Sequence, residues 1–155
     1  MLESPELPTM IAQTIQLALT PVFALVAIAS IMNILSMRLG RVVDRSRMLL
    51  DRHVDTVGAE HDDVVREMRS ADRRIALIGQ SLALLVGSSL LIGLTVVLLF
   101  LQEITQTPLP LPVAATFLAG IVLLLVALVL FLRETREAAA ALRIPRTFLE
   151  EDRTL

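Results

Sequence analysis

The chain has 155 residues, 55% of them hydrophobic, a mean hydropathy of +0.72 and a net charge of −2. A soluble domain is about 45–50% apolar; here the excess is gathered into long runs, which excludes an ordinary soluble globule and points to membrane spans. Cysteine is absent, which excludes disulfides, thiol nucleophiles and cysteine-held metals, and all fourteen basic residues are arginine, the side chain suited to bidentate ion pairs.

The first ten residues carry Glu3 and Glu6 and no basic residue. A cleaved signal peptide needs a positive start, so the first apolar run is expected to stay as a membrane helix. Thr9 is placed to cap it. This span covers residues 11–37, more than the roughly 20 that cross the hydrocarbon, so tilt or a kink is expected, with Pro21 as the kink site. Its polar residues Thr9, Gln13, Gln16 and Thr20 share one helical face, continued by Ala24 and Ala27. Such a face is either a helix–helix contact, with hydrogen bonds worth about 0.6–2 kcal/mol each, or the wall of a wet lumen in an oligomer.

Residues 38–74 are dense in charge yet keep a helical rhythm. Leu39, Val42, Val43, Leu50, Val54 and Val57 form one apolar stripe, with Ser46 its polar exception. Gly58 can close a tight turn, and a second stripe follows at Val64, Met68, Ala71, Ile75 and Ile78. Two such helices are expected to pack antiparallel, stripe to stripe, with coiled-coil-like geometry. Asp44–Arg47, Arg47–Asp51, Asp62–Arg66 and Arg69–Asp72 have the spacing of pairs along a helix. The expected result is two long helices, residues 10–57 and 60–101, whose hairpin projects about 25–30 Å from the membrane at 1.5 Å per residue.

The second span covers residues 75–101, with Gly79, Ala83 and Gly87 recurring every four residues. This small-residue ladder lets another helix approach closely. Pro108, Pro110 and Pro112 mark an extended link, with Pro112 suited to the first turn of a third span over residues 113–132. That helix is expected to continue through the alanines of residues 138–141 and to end at Ile144-Pro145, leaving a terminal stretch that is frayed or partner-bound. The fold class expected is therefore an all-α integral membrane protein, one membrane domain of three spans with a cytoplasmic hairpin and a tail over residues 133–155. Nine arginines lie between spans one and two and five follow span three, with none on the opposite loops. Basic residues stay on the cytoplasmic side, so the hairpin and C-terminus are expected inside and the N-terminus outside.

The stretch from Asn33 to Arg47 is the most distinctive local pattern. Its arginines attract anionic lipid, at about 1 kcal/mol each near the surface; Arg38, Arg41, Arg45 and Arg52 lie below the Gln13 face and would ring the cytoplasmic mouth of a lumen. Pro21-Val22-Phe23, Asn33-x-Leu35, Arg38-Leu39-x-Arg41, Asp44-Arg45-x-Arg47 and Arg73-Arg74-Ile75 together resemble a domain-of-unknown-function family of small bacterial inner-membrane proteins. The resemblance covers roughly residues 12–132. It implies three spans and a bacterial inner membrane, and it carries no established activity or binding residues.

His53 and His61 flank the hairpin tip and are weak candidates for a metal site; solvated tip residues are the commoner case. No phosphate loop or nucleophile elbow is present, and the spans contain no Asp, Glu, Lys or Arg to relay protons. An enzyme is not expected, nor a cofactor, a resident metal or a nucleic-acid partner. Two functions fit: a homo-oligomer forming a pore or channel-like assembly, and a structural or adaptor protein whose charged hairpin docks a cytoplasmic or membrane partner.

Overall fold

A computed structural model describes the backbone of residues 7–141 and the side chains of residues 12–139. Three α-helices make up the described chain: α1 (Leu7–Asp55), α2 (Ala59–Thr105) and α3 (Pro110–Ala141). Each contains a stretch long and apolar enough to cross a membrane. α1 and α2 are the two long helices expected from the sequence, each passing from its uncharged stretch into the charge-dense one without a break.

The ends differ in detail from the sequence reading. α1 begins at Leu7, so Thr9 lies inside the helix and does not cap it. As expected, the helix continues through Pro21. α3 begins at Pro110, so Pro110 and Pro112 both sit in its first turn. The first backbone amides of a helix have no partner within it, so prolines there forfeit nothing; the first such bond runs from the Val113 amide to the Leu109 carbonyl, at 3.2 Å. The expected stop at Ile144-Pro145 and the terminal stretch lie outside the described residues.

Gly58 makes the turn between α1 and α2, as expected. Its φ of +68° is in the left-handed region, where any side chain would be strained. A second turn follows α2: Gln106 adopts φ +53°, its side-chain Nε2 donates to the Glu103 carbonyl at 2.6 Å, and the Gln102 side-chain Oε1 accepts from the Leu109 backbone amide at 2.9 Å. The first of these bonds ties down a carbonyl that the end of α2 leaves unpaired.

α2 is the middle helix, with α1 and α3 packed against it. Along α1 and α2, Thr14 meets Glu103 at one end, while Arg45 meets Glu67 and His53 meets His61 toward the other. The buried positions recur every seven residues: Pro21, Ile28, Leu35, Val42 and Leu49 on α1; Val64, Ala71, Ile78, Leu85 and Ile92 on α2; Gly120, Ala127 and Glu134 on α3.

That seam confirms the stripe from Val64 to Ile78 and corrects the other. Val42 is buried, but Leu50, Val54 and Val57 are exposed, the last two by 83% and 87%, and Leu49 takes the buried place instead. Ser46, His53 and Thr56 are half-buried along the same seam. The ion pairs also differ. Among the described residues the only pair along a helix joins Arg66 to Asp63, while Arg45–Glu67, Arg38–Glu134 and Arg74–Glu134 join different helices.

α3 packs tightly on α2 at Gly120. A Cβ there would sit 2.8 Å from Cγ1 of Ile92 and 3.4 Å from the Ser88 carbonyl. The Ser88 hydroxyl donates to the Gly120 carbonyl at 2.7 Å, and Thr95 donates to Thr116 at 3.1 Å. In lipid, where apolar surface gains little from leaving its surroundings, close packing and such hydrogen bonds hold helices together.

Candidate functional site

The uncharged stretches of the three helices end at Arg38, Arg74 and Arg133. Glu134, the first acidic residue after the third stretch, points inward from α3 and is fully buried. Arg38 of α1 donates through Nη2 to Oε2 of Glu134 at 2.7 Å. Arg74 of α2 donates to Oε1 through Nε at 3.1 Å and Nη2 at 2.9 Å. One carboxylate therefore joins all three helices at a single level.

The cluster carries two guanidinium groups against one carboxylate. Each oxygen of Glu134 accepts at least one charge-assisted bond, which is what a buried acid requires. Arg38 also lies over the ring of Phe131, with its central carbon 5.4 Å from the ring centroid, so the quadrupole of the ring helps compensate the desolvated cation. Both arginines are about one-quarter exposed.

Beyond this level lies a groove of about 180 Å³ between α1 and α2, lined by Arg41, Arg45, Glu67, Ser70 and Arg74, with Val42 and Ala71 beneath them. Arg45 reaches across it to Glu67, through Nε at 2.8 Å and Nη2 at 2.7 Å. At the far end of the bundle the Thr14 hydroxyl donates to Oε2 of Glu103 at 3.1 Å. An apolar crevice of about 390 Å³ lies nearby, bordered by Thr20, Pro21, Leu99, Gln102, Val113 and Phe117.

The residues singled out from the sequence are only partly brought together. Gln13, Gln16 and Thr20 are exposed on the side of α1 away from its buried seam, Thr20 at the edge of the apolar crevice. The side chain of Thr9 lies outside the described ones. Arg38, Arg41, Arg45 and Arg52 do not act as one set: Arg38 turns inward to Glu134, Arg45 pairs with Glu67, Arg41 lines the groove and Arg52 is exposed. The ladder of Gly79, Ala83 and Gly87 is likewise divided. Only Gly87 faces a neighbour within the chain, Leu123 of α3, while Gly79 and Ala83 are exposed and nothing lies within 4 Å of where a Gly79 Cβ would be.

The His53 and His61 rings lie 4.4 Å apart at 53°, and Thr56 Oγ1 lies 3.5 Å from Nδ1 of His61. Among the described residues no set of three His, Asp or Glu side chains could hold a metal ion. Glu134 was not singled out from the sequence. The available signal was its place as the first acid beyond an uncharged span, level with arginines at the ends of the other two.

Three long apolar helices and no strand among the described residues define a multi-pass, all-helical membrane protein. The chain belongs to the DUF2721 family, a family described as a protein of unknown function, whose model matches residues 18–144. That span takes in all of the cluster, from Arg38 to Glu134, and confirms the resemblance carried by the arginine motifs. No curated protein and no solved structure matches the chain.

Proposed function

We propose that this protein is a non-enzymatic inner-membrane protein that works as a homo-oligomer, joined along the Gln13–Gln16–Thr20 face of α1. In this reading α1 and α2 form an antiparallel, coiled-coil-like hairpin that stands in the cytoplasm, with the N-terminus outside and the C-terminus inside. The observation that carries it is the exposure of Gln13 and Gln16 in the uncharged stretch of α1, with no side-chain hydrogen bond to any described residue. At the outer rim of the span, amide groups turned toward lipid lose part of their water without compensation; the same face of a second copy satisfies them. The open surface at Gly79 and Ala83 gives α2 a second place for close helix contact.

A channel-like assembly is the form of this oligomer in which the Gln13 face borders water. Arg41 and Arg52 are then the arginines left to line its cytoplasmic mouth, since Arg38 and Arg45 are engaged in ion pairs. Ion flux into liposomes tests it: flux that falls when Gln13 and Gln16 are both replaced by leucine supports the channel, and no flux from a well-folded oligomer rejects it.

The second reading is an adaptor, supported by the exposed apolar strip Leu50, Val54 and Val57 on the hairpin. Apolar side chains gathered on an element that stands in water are a contact surface in search of a partner. Deleting residues 44–69 should abolish co-purification of a partner; unchanged co-purification would exclude the hairpin as the dock.

A further inference from the structure

We propose that the groove between α1 and α2 lined by Arg41, Arg45, Ser70 and Arg74 is a binding site for the phosphate of an anionic phospholipid headgroup. The site goes beyond general attraction of arginine to a charged surface, because it is concave, crosses two helices and has an apolar floor at Val42 and Ala71.

Its donors come from both sides. Arg41 of α1 is exposed and makes no hydrogen bond or ion pair to any described residue. Ser70 of α2 supplies a hydroxyl that is likewise without a described partner. Arg74 directs Nε and one Nη toward Glu134, and its guanidinium remains one-quarter exposed at the groove. Glu67, the one acid in the lining, is neutralised by Arg45 at 2.7 Å. The groove thus keeps a net positive charge, with guanidinium groups in the planar, many-donor form that suits phosphate oxygens.

The depth matches a headgroup. The uncharged stretch of α2 begins at Ile75. At 1.5 Å per residue, Ser70 lies about 7.5 Å beyond it, at the outer edge of a headgroup layer roughly 5–7.5 Å thick on each side of the hydrocarbon. Arg41 is one turn beyond Arg38, at a comparable level. Basic pockets at this depth between helices take up anionic headgroups.

The test uses the full chain in mild detergent and native mass spectrometry with phosphatidylglycerol, phosphatidylcholine and inorganic phosphate as separate probes. The wild type should retain phosphatidylglycerol in preference to phosphatidylcholine, whose own cation compensates its phosphate. Arg41→Gln should weaken that retention about tenfold, and Ser70→Ala should weaken it in the same direction. Arg66→Gln removes the same charge from an exposed site and should change it less than about twofold. If millimolar inorganic phosphate displaces the lipid from the wild type, the site is a phosphate site that also draws on solution; if it does not, the ligand is the lipid. Equal retention of phosphatidylglycerol by wild type and Arg41→Gln, or equal retention of the two lipids, would overturn the proposal.

Discussion

Arg74 donates two hydrogen bonds to a single oxygen of Glu134, although the two residues are 60 positions apart and lie on different helices. The second oxygen of Glu134 is held by Arg38, 96 positions away. Removing the acid leaves two guanidinium groups facing each other with nothing between them. Glu134→Ala is therefore expected to destabilise the bundle by about 3–5 kcal/mol, read as a lower thermal midpoint by circular dichroism in detergent. In a double-mutant cycle of Arg74→Gln with Glu134→Gln, the coupling energy should be about 0.5–3 kcal/mol; zero coupling would mean that the pair does not act in the folded protein.

Gly120 and Gly79 should respond oppositely to the same substitution. Gly120→Ala puts a Cβ 2.8 Å from Ile92 and against the backbone of Ser88, and should cost about 1–3 kcal/mol. Gly79→Ala meets nothing within the chain and, measured on the single chain dispersed in detergent, should be neutral or gain up to about 1 kcal/mol from helix propensity. Thermal unfolding of both variants checks the contrast.

In the hairpin, adjacent leucines should differ as sharply. Leu49 is fully buried, and Leu49→Ala should cost about 2–5 kcal/mol. Leu50 is half exposed, and Leu50→Ala should stay within about 0.5 kcal/mol of wild type. The reverse order, with Leu50→Ala the costlier, would place the seam where the sequence periodicity alone put it.

That last contrast shows where the sequence was legible and where it was not. The three helices, the turn at Gly58 and the α2 stripe follow from runs of uncharged residues and from local spacing. The α1 stripe was misplaced because an ideal helix drifts by about 20° every seven residues, which moves a straight apolar stripe from Val42 and Val43 to Leu50, Val54 and Val57. The real seam keeps a repeat of seven and runs through Leu49, His53 and Thr56; the last two are polar and hide it from a count of apolar positions. The ion cluster was illegible for a different reason. Intrahelical pairs can be read from spacing, whereas the choice of Glu134 by Arg38 and Arg74 depends on how three helices pack.

Orientation has its own expected outcome. The chain has no native cysteine, so single cysteines report cleanly. One at Thr105 should react with a membrane-impermeant reagent from outside, and one at Ala59 only after permeabilisation. Ala59 is the better hairpin position, because Gly58 has a positive φ that a cysteine would strain. The reverse labelling pattern would invert the topology and remove the arginines from the cytoplasm.

The most direct test of the proposed assembly is the mass of the intact protein in mild detergent, measured by native mass spectrometry for the wild type and for the Gln13→Leu/Gln16→Leu double variant. The expected wild-type mass is a single whole-number multiple, above one, of the 17.0 kDa chain, with the double variant shifted toward the single chain. A wild type that is one 17.0 kDa chain at every concentration, indistinguishable from the variant, would contradict it.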